Sequence, residues 1–228
     1  MRLHSLIATA LLALAARGPL AGQTIPSPYR FYDTRHEAGA FAGWIAPGTG
    51  RFEYGPGPGP MVGARYGIEV SGPFSLEGVV TWAPTERDVI DPRRAEGARR
   101  IGTADANLLG VDARLKLSLT GPRTWHNLNP FLLAGAGAMW DVAGDDEDED
   151  DLVSGDRFEF GTAFVGVVGG GARWFLSDHW IVRTDALPHL WKLDAPDGFR
   201  LASRGFTDVG SAEWVNASSI SIGAAYRF

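Results

Sequence analysis

The stretch MVGARYGIEVSGPFSLEGVVTW, residues 61–82, decides the fold. Val62, Ala64, Tyr66, Ile68 and Val70 share one face, and Gly63, Arg65, Gly67 and Glu69 share the other. That is period two, the mark of a strand lying between two unlike environments. Ser71, Gly72 and Pro73 supply a tight turn, after which Phe74, Leu76, Gly78, Val80 and Trp82 alternate with Ser75, Glu77, Val79 and Thr81. The same alternation recurs at Leu109–Leu119, with Asp112, Arg114 and Lys116 on the polar face. It recurs again at Ser219–Phe228, with Ile220, Ile222, Ala224, Tyr226 and Phe228 on the apolar one. Four weaker segments, 38–45, 129–140, 160–176 and 180–187, bring the number of strands to eight. The Gly/Ala run at 134–138 leaves the register of the fifth open. An even number of strands suits an all-β, eight-stranded antiparallel up-and-down barrel.

The connections sort by length. Residues 71–73, 120–127 and 177–179 are short; 46–60, 84–106, 141–157 and 188–212 are long. This alternation is the loop pattern of a transmembrane barrel, with tight turns at one end and large loops at the other. Composition agrees: 30 Gly and 14 Pro among 228 residues disfavour helix interiors, and there is no cysteine for disulfides, thiolate chemistry or thiolate metal sites. A formal charge of −6, with no local basic helix, gives no electrostatic case for nucleic acid. At the start, Met1 and Arg2 precede an apolar stretch at 6–16 and small residues at Ala21 and Gly22. This order predicts an export leader over 1–22, a short segment over 23–36 and the barrel over 37–228. The stretch is too short for a helical span, which needs about 20 residues.

Alternation does not say which face meets the core, since a soluble barrel buries its apolar face and a membrane barrel turns it to lipid. Two further features favour lipid. Arg65, Glu69, Glu77, Asp112, Arg114, Lys116, Arg173, Arg183 and Asp185 fall on the polar faces and are read as lumen ion pairs. The tryptophans gather near strand ends, with Trp44, Trp82, Trp140, Trp191 and Trp214 towards the long loops and Trp125, Trp174 and Trp180 towards the short turns. They are read as two aromatic belts at headgroup level. The C-terminal run Ile220, Ile222, Ala224, Tyr226, Phe228 resembles the assembly signal of bacterial outer-membrane proteins. Together with the loop order and residues 165–183, it makes the chain similar to small barrels of the outer membrane protein A-like type, barrel only, without the peptidoglycan-binding domain. That resemblance implies an integral outer-membrane protein surrounded by lipid and lipopolysaccharide, delivered by the barrel-assembly machinery, and monomeric.

No catalytic constellation, cofactor motif or metal-ligand set emerges. His189 is the one histidine near the outer rim, and it lacks the serine two residues on that lipid A deacylases pair with it; Leu190 and Trp191 follow instead. Acidic residues 145–151 read as a self-repelling loop or a cation collector, and Arg93, Arg94, Arg99 and Arg100 as partners of lipopolysaccharide phosphates or of that loop. The expected role is structural or surface-interacting, without an open pore. The alternatives are a lipid-directed hydrolase and, third, a soluble periplasmic ligand-binding barrel. Counting across the turn at 71–73 sets Gly67 opposite Glu77 and Arg65 opposite Val79; across 177–179 it sets Arg173 opposite Arg183 and Gly171 opposite Asp185. Arg65 and Glu77 then become diagonal neighbours on one inward face, within reach of each other, and Asp185 is expected to pair with Arg173, Arg183 or both.

Overall fold

The computed structural model describes residues 27–31, 34–144 and 147–228. The leader read over 1–22 lies outside them. Eight long strands form one closed sheet: β1 (His36–Pro47), β2 (Gly59–Ser71), β3 (Phe74–Ile90), β4 (Arg100–Ser118), β5 (Leu128–Asp141), β6 (Thr162–Phe175), β7 (Trp180–Asp194) and β8 (Ala212–Arg227). Each pairs antiparallel with its neighbours in sequence, and β8 pairs with β1 to close the barrel. Following paired residues once round from Leu128 leads through Trp174, Val182, Ala224, Ala40, Ala64, Val80 and Val111 to Ala138, ten residues further along β5. With strand spacings near 4.8 Å and rises near 3.3 Å, that stagger tilts the strands by about 40° and leaves an interior that side chains fill.

The predicted registers hold. Gly67 faces Glu77, Arg65 faces Val79, Arg173 faces Arg183 and Gly171 faces Asp185. The polar face is the buried one. Along β2, Arg65 is buried while Val62, Tyr66, Ile68 and Val70 are exposed, and Leu76, Val80, Leu115, Leu132, Val168, Ile220 and Ile222 continue the exposed apolar surface on other strands. A water-soluble barrel does not present such a band; a lipid-embedded one requires it.

Three expectations need correction. Residues 84–106 and 188–212 are not loops throughout, because β3, β4, β7 and β8 run on past the other strands as long hairpins. Pro84 and Pro188 suggested breaks. Pro84 lies beyond the last β2–β3 pair, Val62↔Trp82, where a missing N–H is tolerated; at Pro188 the β6–β7 ladder skips Val168 and Gly169, and Gly169 takes φ +143°. Phe160 precedes β6 and packs in the core instead. The short connection at 120–127 contains a three-residue strand, Arg123–Trp125, paired with another at Tyr29–Phe31.

Candidate functional site

Period two aims six cations and five carboxylates of the described residues into the lumen, so the charge inside is nearly balanced and pairs rather than selecting ions of one sign. At the short-turn end Arg173 is the hub. It donates to Glu37 Oε2 at 3.1 Å, to Ser118 Oγ at 3.0 Å and to Asn129 Oδ1 at 3.0 Å, and Glu69 lies 3.7 Å away. Arg227 also donates to Glu69, at 3.0 Å, and to the Thr34 carbonyl. The Phe175 ring lies 5.6 Å from the Arg173 guanidinium and 5.4 Å from that of Arg227, giving these desolvated cations an aromatic face.

At mid-barrel Glu77 accepts from Lys116 Nζ at 2.5 Å and from Arg183 Nη1 at 2.6 Å. Asp185 accepts from Arg183 Nη2 at 2.7 Å and, on its other oxygen, from Arg65 Nη1 at 2.7 Å. Arg183 stacks on Phe131 and Arg65 on Phe41. Arg114 pairs with Asp112 on its own strand. Gly137 makes room for that pair: a Cβ there would stand 2.1 Å from the Val111 carbonyl and 2.5 Å from Asp112 Cβ. The Gly/Ala run thus has Gly135 and Gly137 inward.

Asp185 pairs with Arg183, one of the two partners expected for it, and Arg65 and Glu77 share the inward face as expected; the remaining contacts run elsewhere. Arg173 turns to Glu37 and Glu69 rather than Asp185, and Arg65 reaches Asp185 rather than Glu77. In both cases a long side chain finds its partner across the lumen, not on the adjoining strand. Glu37, Arg227, Ser118 and Asn129 were missed as members. Arg227 shares the inward parity of Gly223 and Ala225, a signal the sequence does carry.

Above the ions, His189 Nε2 lies 2.8 Å from Ser219 Oγ, a contact between residues 30 positions apart. A Ser–His contact is the beginning of a nucleophilic pair. Here it lines a cavity of about 20 Å³ shared with Arg65, Asp112 and Arg114, room for one water and not for an acyl chain. The long-loop end is closed by aromatics. Phe199 stacks on Phe52 at 4.9 Å and packs against Tyr54 and Phe206, while Tyr54 meets Phe158 and Phe160 meets Trp191.

Trp191 was expected in the outer belt, and the structure corrects this. Its side chain is wholly buried, 0% exposed, because β7 keeps period two past Pro188 and gives Trp191 the inward parity of Asp185 and His189. Trp44, Trp82, Trp174, Trp180 and Trp214 are exposed on the barrel's outside, and Trp140 is partly buried. Tyr226, Phe228, Ile220 and Ile222 are also exposed, with Ala224 in the same outward series.

Of the acidic residues that the structure describes, Glu149 and Asp148 are docked against β3 and β4, while Glu147, Asp150 and Asp151 are exposed. Glu147–Glu149 form a turn of 3₁₀ helix whose Glu149 pairs with Arg87 at 2.5 Å, and Asp148 accepts from the Thr103 amide at 3.1 Å. Of the four loop arginines, Arg93 pairs with Asp91 at 2.9 Å and with Asp156 at 3.7 Å, and also donates to the Asp151 carbonyl. Arg94 pairs with Asp91 and Arg100 with Asp88. Arg99 lies over the Phe206 ring. Among the described residues no group of three or more His, Asp or Glu is placed to hold a metal ion.

Asp91, at the tip of the β3–β4 hairpin, accepts from the Arg93 amide and side chain, each at 2.9 Å. Burial alone pushes its carboxyl up, but these bonds outweigh burial and hold it below its ordinary 3.8. A depressed carboxyl stabilises the hairpin above its unfolded value and loses that contribution as pH falls through the folded one. Amide exchange at residues 91–99, corrected for intrinsic rates, is therefore expected to stay constant from neutral pH to about 4 and to rise below it. Asp91→Asn is expected to raise exchange at neutral pH and abolish the step; a flat profile in the parent protein contradicts this account.

The sequence profile of the outer membrane protein beta-barrel domain matches residues 6–228. No curated protein matches. Among solved structures the chain is similar to the outer membrane protein OprG from Pseudomonas aeruginosa, with a TM-score of 0.54 and 14% identity over 89% of this chain and 99% of that one. It is also similar to Neisserial surface protein A, at 0.48 and 13% over 89% and 98%, and to E. coli outer membrane protein W, at 0.48 and 12% over 86% and 99%. Identities this low speak to the fold alone. The profile match, spanning nearly the whole sequence, places the chain in the outer membrane protein beta-barrel domain family.

Proposed function

We propose that this protein is a monomeric, non-conducting barrel of the bacterial outer membrane that acts as a rigid platform and presents its packed outer loops to the surroundings. The observation that carries this reading is the filled lumen. Two ionic clusters, centred on Arg173 and on Arg183, cross the interior, and an aromatic cap closes the end formed by the long loops. The residual cavity beside His189 is too small for lipid, which favours a non-catalytic role over a lipid-directed hydrolase. The outward apolar band suits acyl chains. At the long-loop rim, Lys192 lies 4.9 Å from the Trp214 ring, a cation–aromatic pair suited to lipopolysaccharide phosphates. The acidic partners of Arg93, Arg94 and Arg100 leave those three less free for the same task.

Planar-bilayer recording tests the closed lumen. Purified protein is expected to give no steady single-channel current, because passage of a hydrated ion requires breaking several buried ion pairs at once. Large, stable conductance steps would contradict it. Lipid A mass spectra with and without the gene are expected to be identical, and a lost or gained acyl chain would favour the hydrolase.

A further inference from the structure

The short-turn end carries a feature that neither the barrel nor its lumen uses. The strand Tyr29–Phe31 pairs antiparallel with Arg123–Trp125, setting Tyr29 opposite Trp125 and Phe31 opposite Arg123. Trp125 in turn pairs with Leu128 across a two-residue turn in which His126 and Asn127 take φ of 50° and 65°, the left-handed conformation that tight hairpins need. Leu128 pairs with Trp174 on β6. One hydrogen-bonded row, Tyr29–Trp125–Leu128–Trp174, therefore runs from the ribbon onto the barrel wall, and all four side chains are exposed. Phe31, 65% exposed, extends the same face, and Arg123 lies 4.6 Å over its ring. The other face is different: Thr124 is buried, and with Arg30 and one side of Phe31 it lines a cavity of about 340 Å³ shared with Phe175 and His179.

A two-residue period thus gives the ribbon an apolar, aromatic face continuous with the lipid-facing wall and an inner face turned to the barrel's end. Among the described residues no carboxylate lies within ion-pair distance of Arg123. Aromatic rings beside an exposed arginine match the glycerol and phosphate layer of a bilayer, where rings sit at the interface and a guanidinium meets phosphate. We propose that the ribbon of Tyr29–Phe31 and Arg123–Trp125 is a membrane-docking surface that seats on the phospholipid headgroups of the leaflet at the short-turn end, widening the aromatic belt there beyond the eight strands. The inference rests on the barrel's placement in a bilayer, and the test below separates the two.

The full-length folded protein is reconstituted in phosphatidylethanolamine–phosphatidylglycerol vesicles, and the emission of Trp125 is obtained as the difference between the parent and Trp125→Phe. Trp174→Phe supplies the same difference for a residue on the barrel wall. The expected result is that a headgroup-spin-labelled phospholipid removes most of the Trp125 emission, that aqueous iodide removes little of it, and that Trp174 behaves alike. Trp125 emission quenched by iodide and untouched by the labelled lipid, with Trp174 still quenched by lipid, overturns the docking proposal and leaves the barrel's placement standing. Protection of Trp125 from both quenchers would mean that protein covers the face, and also overturns the proposal. If neither tryptophan senses the labelled lipid, the bilayer placement itself fails. Arg123→Gln, which keeps the rings, is expected to weaken the headgroup quenching of Trp125 without changing that of Trp174; an unchanged signal counts against the phosphate contact.

Discussion

Arg183→Met is expected to destabilise the folded barrel by about 3–5 kcal/mol, the cost of leaving buried charges without their partner. Arg183 is almost wholly inaccessible and bridges the two central carboxylates, donating to Glu77 at 2.6 Å and to Asp185 at 2.7 Å. Removing it leaves Lys116 and Arg65 to hold one acid each, with the cation between those acids gone. Denaturant unfolding of the refolded protein, comparing parent and variant, measures the effect. The double variant Arg183→Met/Asp185→Asn is expected to lose less than the sum of its parts, with a coupling of about 0.5–3 kcal/mol. A loss near the ~1 kcal/mol typical of exposed pairs would show that water penetrates the lumen and would contradict a closed interior.

The second large effect is on assembly. Phe228 lies on the outside of the β8–β1 seam, stacked on His36 at 5.7 Å and on Tyr226 at 6.4 Å, and its backbone exchanges hydrogen bonds with His36. Phe228→Ser is expected to lower the amount of folded, heat-modifiable protein in the outer membrane severalfold while synthesis is unchanged. The same variant, refolded from denaturant into detergent, is expected to form the barrel nearly as well as the parent, because only one exposed side chain and no lumen ion pair is lost. Normal membrane levels would contradict an assembly role for Phe228. Failure in both settings would make Phe228 a structural residue of the seam.

The wall of this barrel was legible from sequence because each strand separates lipid from a charged interior, and such a boundary forces period two on the chain. Register followed wherever a tight turn fixed the count, as at Ser71–Pro73 and Ser177–His179. What lies across the lumen was not legible. Arg65 on β2 meets Asp185 on β7, and no count between adjoining strands reaches that far. The ends of the strands were obscured by prolines, which mark breaks only where their missing N–H would have been used. Misplacing Trp191 followed directly, since ending the strand at Leu187 hid its inward parity. The Gly/Ala run kept its register hidden because small residues fit either face. In the structure Gly135 and Gly137 turn inward beneath the Arg114–Asp112 pair. The ribbon at Tyr29–Phe31 gave no sequence signal beyond alternating aromatics, since three residues are too few for a period to show.

In a closed, lipid-embedded barrel the apolar side chains face lipid and the charged interior excludes solvent. Nitroxides introduced one at a time at Ser75, Leu76, Val79, Val80, Thr81 and Trp82 of β3, in the cysteine-free chain folded in a bilayer, report on both properties at once. Strong collisions with oxygen and weak ones with a water-soluble nickel chelate are expected at Leu76, Val80 and Trp82, and weak collisions with both at Ser75, Val79 and Thr81. Nickel access at the inward set would show an open aqueous lumen, and nickel access at Leu76 and Val80 would show that this face meets water rather than lipid.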